Sequence, residues 1–167
     1  GLAIAPLYDE PFLAAVPSTH PLAQQESIST QQLKNETMLL LGAGHCFRDH
    51  VLEVCPEFAR YASNAEGIRR SFEGSSLETI KHMVAAGMGV TLVPRLSVAN
   101  DALQSPRRRR SDEPYIRYLP IVEPDGSAPP KRRVSLVWRR SFTRYEAIAA
   151  LRNAIHACKL LGVERLN

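Results

Sequence analysis

The chain has 167 residues, 44% hydrophobic and 23% charged, so it is long enough to bury a sizeable core and ordinary in composition for a globular protein. It contains no run of 18 apolar residues and no signal-peptide charge pattern at its start, so we expect no transmembrane helix and no association with a membrane. The net charge of +4 depends on one arginine run at 107–110 and therefore gives poor support for a nucleic-acid-binding face.

The first half of the chain alternates apolar strands with helices. Strands are predicted at 2–8, 12–16 and 37–41, and the unbroken apolar run of the third predicts burial on both faces. A short helix is expected at 29–33. A second helix is expected at 46–55, where Pro56 prevents its continuation.

The next strand is predicted at 68–72. Ser75 and Glu78 have the spacing of a capping box, which predicts that a helix begins there. Its apolar stripe is Leu77, Ile80 and Val84, and Gly87 or Gly89 should end it.

Three more strands are predicted, at 90–93, 115–122 and 133–138. A second capping box, Thr143 with Glu146, predicts a long C-terminal helix. The apolar stripe of that helix consists of Ile148, Leu151, Ile155 and Cys158. We therefore expect Cys158 to lie in the core.

The alternation of strands and helices predicts an α/β fold with mostly parallel strands. The segment 99–114, which holds the arginine run, has no apolar periodicity and is expected to be a surface loop.

Three cysteines are too few for a disulfide scaffold, so we expect a reducing, cytoplasmic environment. Cys46 and Cys55 stand at opposite ends of the helix predicted at 46–55. Nine residues of helix rise about 13.5 Å, whereas a disulfide needs Cα atoms within about 7 Å. The pair can bridge only if the helix comes apart, so it is either two unrelated thiols or a redox switch.

Cys46 lies at a helix N-terminus, where the thiolate, the nucleophilic form, is favoured. The alternative is that Cys46 and Cys55 are small core hydrophobes. His45, Cys46, His50 and Cys55 could also be a metal set, but only Cys46 and His50 share a helix face. We expect no metal and no cofactor.

Two stretches resemble a known family. Residues 76–94, Ser-Leu-Glu-Thr-Ile-Lys-His-Met-Val-Ala-Ala-Gly-Met-Gly-Val-Thr-Leu-Val-Pro, are similar to the effector-domain signature of LysR-type transcriptional regulators, and His-Pro-Leu-Ala at 20–23 fits the same family. The resemblance implies a fold like that of periplasmic binding proteins, with two Rossmann-like subdomains, one of them incomplete here. Residues 1–133 would form regulatory subdomain II with its hinge strand. Residues 134–167 would supply the returning strand and last helix of subdomain I, and the family's helix-turn-helix DNA-binding domain is absent.

Gly-His-Cys-Phe-Arg-Asp at 44–49, followed by Cys55, resembles the hydrogen-peroxide-sensing members of this family. That resemblance implies that Cys46 is the sensor thiol, Cys55 the resolving thiol, and the protein a regulator rather than an enzyme. It implies that the helix between them unravels on oxidation and that antioxidant genes are then activated.

The same resemblance implies a thiolate and peroxide environment made by His45, Arg48, Asp49 and an arginine on the strand after the Pro-rich turn. Arg132 fits that position best, with Arg133 as the alternative register. His50 is expected to be an ordinary solvated side chain.

The implied partners are hydrogen peroxide, promoter DNA through the absent domain, RNA polymerase, further copies in a homodimer or tetramer, and glutaredoxin or thioredoxin as reductant. Two other functions stay open at this point. One is a LysR-type domain that binds a small organic effector in the cleft between subdomains, and the other is a thiol peroxidase.

Overall fold

The computed structural model describes residues 1–56, 58, 71–100 and 115–166. Its strands are β1 (Leu2–Pro17), β2 (Met38–Leu41), β3 (Ser71–Gly74), β4 (Thr91–Pro94), β5 (Ile116–Pro120), β6 (Lys131–Arg139) and β7 (Glu164–Arg165). Its helices are α1 (Thr30–Leu33), α2 (Cys46–Val54), α3 (Leu77–Ala85) and α4 (Tyr145–Ala157), with 3-10 turns at Pro21–Gln24 and Arg95–Ser97. The predicted loop at 99–114, from residue 101 onward, and the start of the strand predicted at 68–72 lie outside the described residues.

A single 16-residue strand, β1, stands where the sequence predicts two strands. Asp9 and Glu10, which lie between the two predicted strands, pair in register with Arg133 and Arg132 of β6. Because these cross-strand partners neutralise the two buried carboxylates, the strand continues through them. The only irregularity in its pairing with β6 is a register shift between Pro6 and Tyr8.

Strand direction departs from the sequence prediction. The α/β class is confirmed, but β1 pairs antiparallel with β4, β5, β6 and β7. Among the described strands only β2 and β3 pair parallel, with isolated parallel bridges at Ile28–Ile121 and Met38–Val90. Local periodicity identifies strands but carries no information on direction, and here most strands return alongside one long central strand.

The core lies between β1 with its neighbours and the helices α2 and α3. Strands β2 and β4 are buried along their whole length, as their apolar runs predict. Phe47 and Val51 of α2, and Ile80 and Val84 of α3, point into this core. Helix α2 is thus attached to the core by one face only.

The cap of α3 differs from the prediction by one residue. Ser76, not Ser75, is the N-cap, and its Oγ accepts a hydrogen bond from the backbone N–H of Thr79 at 3.1 Å. Glu78 lies in the first turn and pairs with Lys81 at 3.1 Å, so it takes no part in a capping box. Helix α3 ends at Ala85, and Gly87 adopts a positive φ of 77°, as the glycine signal predicts.

Helix α4 has no buried residue, so the predicted burial of its apolar stripe is wrong for this chain. Ile148 and Ile155 are half-buried, whereas Leu151 is exposed. The predicted capping box is also absent, because Arg144 is the N-cap and makes no side-chain hydrogen bond there. Among the described helices, none is long and apolar enough to cross a membrane.

Candidate redox site at helix α2

The turn between β2 and α2 presents the first cysteine to solvent. Gly44 has a φ of 96°, a conformation that a residue with a Cβ adopts only with strain. His45 follows as the N-cap in extended conformation, and its side chain makes no capping hydrogen bond. Cys46 is the first helical residue and is exposed. The thiol therefore lies at the N-terminus of α2, where the His45 side chain makes no capping hydrogen bond.

The second cysteine stands at the other end of the same helix. Cys55 is the C-cap of α2, its N–H donates to the Val51 carbonyl at 2.9 Å, and its side chain is 0% exposed. The structure describes all three cysteines, each as a thiol rather than in a disulfide. The nine residues of α2 separate Cys46 and Cys55 by about 13.5 Å along the helix axis. A bond between them requires α2 to unwind.

Aromatic side chains attach the first half of α2 to the sheet. The ring of Phe47 packs edge-on against Phe12, with centroids 5.2 Å apart. His50 stacks on Phe12 at 6.3 Å with an interplanar angle of 29°, and its Nδ1 is buried without a hydrogen-bond partner in the described part of the chain. The prediction that His50 is an ordinary solvated side chain is therefore wrong, because the ring packs between α2 and β1.

Two of the charged residues predicted around Cys46 have other surroundings. The Nη1 of Arg48 donates to the Leu41 carbonyl at 2.8 Å and pairs with Glu73 at 2.7 Å. Arg48 thus connects α2 to β2 and β3. Asp49 is exposed in the first turn of α2, where a carboxylate interacts favourably with the helix dipole.

Arg132 lies on the α2 side of the sheet. Its Nε donates to Glu10 at 2.8 Å, and its guanidinium carbon is 5.5 Å from the centroid of the Phe47 ring. The structure thus brings Arg132 against the residue that follows Cys46. Within the described part of the chain, the Cys46 thiol itself has no hydrogen-bond partner.

Arg133 faces the opposite side of the same ladder. Its Nε and Nη2 donate to the two carboxylate oxygens of Asp9 at 2.8 and 3.0 Å, and Lys131 also pairs with Asp9 at 2.9 Å. These bonds, from Arg133 first and then Lys131, hold the pKa of Asp9 well below its ordinary value. Since successive strand residues point to opposite faces, Arg132 lies on the face of β6 opposite to Arg133, and it is Arg132 that contacts Phe47 of α2.

A cavity of about 450 Å³ opens beside Arg132 and Phe47. Its lining includes Tyr8, Glu10, Phe47, Leu77, Leu96 and Arg132. Burial, and then the nearby Glu10 carboxylate, raise the pKa of Tyr8 above its usual value. The cavity could admit a small polar molecule to the inner side of the first turn of α2.

Sequence reasoning missed two contributors to this site, Glu10 and Phe12. A signal for Glu10 existed, because two adjacent acids at 9–10 match two adjacent arginines at 132–133 if the strands run antiparallel. Phe12 carried no signal beyond that of an apolar strand residue.

Cys158 is placed differently from the prediction. It is the C-cap of α4 and is exposed, so the expectation that it is a core residue is wrong. Its carbonyl accepts a hydrogen bond from Arg165. Among the described residues, no three His, Cys, Asp or Glu side chains converge in a way that could hold a metal ion.

Comparison with known proteins places the chain in a family. The profile of the LysR substrate binding domain matches residues 1–158. A protein of Pectobacterium carotovorum subsp. carotovorum named "Hydrogen peroxide-inducible genes activator" is 38% identical over 147 residues, which cover 86% of this chain and 42% of that protein. The chain thus spans less than half the length of this curated relative.

Two solved structures show the same resemblance. A reduced form of OxyR from N. meningitidis superposes with a TM-score of 0.82 at 34% identity, covering 100% of this chain and 70% of that one. An oxidised form of OxyR superposes with a TM-score of 0.62 at 32% identity, covering 93% of this chain and 65% of that one.

Proposed function

Because this chain belongs to the family of LysR substrate-binding domains, we propose that it is the regulatory domain of a transcription regulator that senses hydrogen peroxide. The observation that carries the proposal is the arrangement of α2, with an exposed thiol at its N-terminus and a buried thiol at its C-terminus. The similarity to a protein named as an activator of peroxide-inducible genes, and to OxyR in reduced and oxidised forms, supports it.

The proposed reaction has two steps. The Cys46 thiolate attacks one oxygen of hydrogen peroxide, the O–O bond breaks, and the departing hydroxide takes a proton to leave as water. Cys46 is oxidised to a sulfenic acid, and one peroxide is reduced. The Cys55 sulfur then attacks the Cys46 sulfur, forming the disulfide and releasing the sulfenic oxygen as a second water.

The second step changes the fold of α2. Cys55 is fully buried, and the side chains of Phe47 and Val51 anchor the helix between the two thiols. Exposing either anchor costs about 1.5–3 kcal/mol. Formation of the disulfide therefore exchanges a packed helix for a rearranged segment, and this rearrangement is the signal that we propose the domain transmits.

Arg132 has the proposed role of stabilising negative charge in the first step. A helix N-terminus stabilises a nearby negative charge by only about 0.3–1 kcal/mol at an exposed site, so a further cation would add to the stabilisation of the negative charge that develops in this step. Arg132 is the cation held against the neighbouring Phe47. The proposed environment of the thiolate also includes His45, at the N-cap position of α2, and Arg48 and Asp49 in its first turn. Arg48 would act on it indirectly, because its Nη1 is bound to the Leu41 carbonyl and to Glu73.

The remaining roles concern the whole protein and extend the proposal. Residues 1–133 and 134–167 would belong to regulatory subdomains II and I of a cytoplasmic protein that is not an enzyme. Oxidation would remodel a homodimer or tetramer bound to promoter DNA through a helix-turn-helix domain, and so change its contact with RNA polymerase. Glutaredoxin or thioredoxin would reduce the disulfide.

The test is titration of the purified chain with one equivalent of hydrogen peroxide, followed by mass-spectrometric mapping of the disulfide. We expect a Cys46–Cys55 bond, formed equally well in the matched control C158S. Cys46→Ser should abolish it, and Cys55→Ser should leave a sulfenic acid on Cys46 that dimedone traps. A Cys46 thiol that stays reduced would contradict the proposal and favour a domain that binds a small organic effector.

A further inference from the structure

The buried carboxylate of Glu10 connects β1 to two other parts of the site. Its side chain is 1% exposed, Oε1 accepts the backbone N–H of Leu96 at 2.7 Å, and Oε2 accepts Nε of Arg132 at 2.8 Å. Burying an unpaired carboxylate costs free energy, and these two hydrogen bonds offset the cost for Glu10. The nearby Arg95 is committed elsewhere, because it donates to the Val98 carbonyl and to Asn100.

The two contacts of Glu10 differ in how far they can move. The Leu96 N–H is a backbone donor in the 3-10 turn Arg95–Ser97 that directly follows β4. Strand β4 is paired to β1, the strand that carries Glu10, so the turn that holds the donor is joined directly to the sheet that holds the acceptor. The carboxylate is thus a fixed acceptor, and the long side chain of Arg132 is the partner that adapts to it.

Arg132 uses fewer of its guanidinium nitrogens in its ion pair than Arg133 does. Arg133 uses Nε and Nη2 together on the two oxygens of Asp9. Arg132 uses only Nε on Glu10, and in the described part of the chain its two terminal nitrogens donate to no partner. Its side chain is 27% exposed and lines the cavity beside Phe47. Several N–H groups therefore point away from Glu10 with no protein acceptor.

We propose that Glu10 is a positioning residue for the peroxide reaction of Cys46: it holds the Arg132 guanidinium by Nε so that the terminal nitrogens stay available to the thiolate or the peroxide oxygens. The inference rests on the proposed function and assigns a role to a residue on β1, outside the sensor helix. Glu10 acts entirely through Arg132 and touches no reacting atom.

The first test uses Glu10→Gln, which changes little in shape. Leu96 and Arg132 donate to different oxygens of Glu10, and in glutamine only one of those two positions is an oxygen. If the amide oxygen stays with the backbone donor of Leu96, the amide NH₂ faces Arg132 and displaces it. We expect peroxide oxidation of Cys46, followed in stopped flow, to slow at least about tenfold, the smallest factor that loss of one charge-assisted hydrogen bond gives. Asp9→Asn, which removes the equivalent acid from the opposite face, is the matched control and should leave the rate unchanged.

The double variant separates positioning from general damage to the fold. If Glu10 acts through Arg132, Arg132→Ala should slow oxidation and E10Q/R132A should be no slower than R132A. Multiplying effects would overturn the inference, because a merely structural contribution of Glu10 would persist without Arg132. A wild-type rate of Cys46 oxidation in E10Q or in R132A would also overturn the inference. The proposed function is tested separately, because it stands if peroxide forms the Cys46–Cys55 disulfide in the unmodified chain.

Arg132→Lys gives a second test that keeps Glu10 intact, for the case in which E10Q does not fold. A lysine ammonium is a single point charge, which can satisfy Glu10 or face the thiolate but lacks separate nitrogens for both. We expect R132K to be nearly as slow as R132A. A wild-type rate in R132K would show that charge alone suffices and would overturn the positioning role.

Discussion

The two ends of helix α2 carry the same chemical group in opposite surroundings. At the N-terminus Cys46 is exposed after a glycine turn and an N-cap without a side-chain hydrogen bond. At the C-terminus Cys55 is fully buried. A short helix can thus keep one thiol accessible to an oxidant while the other stays buried, so that the exposed thiol reacts first.

The largest expected difference is in alkylation of the native chain. Cys55 can react only when its end of α2 opens, and an opening free energy of about 3 kcal/mol lowers its rate roughly a hundredfold. Pulsed iodoacetamide labelling with peptide mass spectrometry measures both rates, with the exposed Cys158 as an internal reference. Equal rates for Cys46 and Cys55 in the folded chain would remove the contrast.

Phe47→Ala should reduce the difference in labelling between Cys46 and Cys55, because it detaches the first turn of α2 from the sheet. The ring is 7% exposed and contacts Phe12 and Arg132, so its removal should cost about 3–5 kcal/mol of unfolding free energy. Cys55 labelling should rise at least tenfold over that in Leu33→Ala, a variant of the buried α1 residue chosen as a destabilised control. If both variants raise labelling equally, Cys55 is released by global unfolding and not by movement of α2.

A side-chain cap at the N-terminus of α2 should increase the difference between the accessible Cys46 and the buried Cys55. His45→Ser adds the side-chain cap that α2 lacks, which stabilises a helix by about 0.5–2 kcal/mol relative to alanine. Closure of the disulfide, measured as the lifetime of the sulfenic acid, should be about two- to thirtyfold slower in H45S than in His45→Ala. Both variants lack the imidazole, so only the cap differs between them. A faster closure in H45S would mean that unwinding does not begin at this end.

The smallest expected effect is at the C-terminal turn, where the exposed Glu53 opposes the helix dipole. Glu53→Gln should stabilise α2 by about 0.3–1 kcal/mol and slow Cys55 labelling up to about fivefold. Asp49→Asn, in the first turn, should shift labelling in the opposite direction because that carboxylate is favourably placed. Shifts of the same sign in both variants would rule out the dipole as the cause.

Features set by neighbouring residues could be predicted from the sequence. The bounds of α2 follow from the glycine turn before Cys46 and from Pro56 after Cys55, and the burial of β2 follows from its apolar run. The end of α3 follows from Gly87. In each case the signal and the structure that it specifies lie within a few residues of each other.

Features that depend on residues distant in the sequence could not be predicted from it. The single strand β1 continues through Asp9 and Glu10 because these residues meet arginines of β6, which are 124 and 122 residues away in the sequence. The exposure of Cys158 depends on what packs against α4, which its own apolar stripe cannot reveal. Even the N-cap of α3 was displaced to Ser76, because two adjacent serines offer equal local signals.

The candidate site likewise has one part that the local sequence predicts and another that depends on distant residues. That a thiol would stand at each end of one helix is determined locally, by a helical pattern nine residues long with a cysteine at its first position and another just after it. That Arg132 rather than Arg133 lies against that helix, held by Glu10, depends on the pairing of β1 with β6. Glu10 and Arg132 are 122 positions apart in the sequence. A shift of one residue in the antiparallel register of β1 and β6 would exchange the faces on which Arg132 and Arg133 lie.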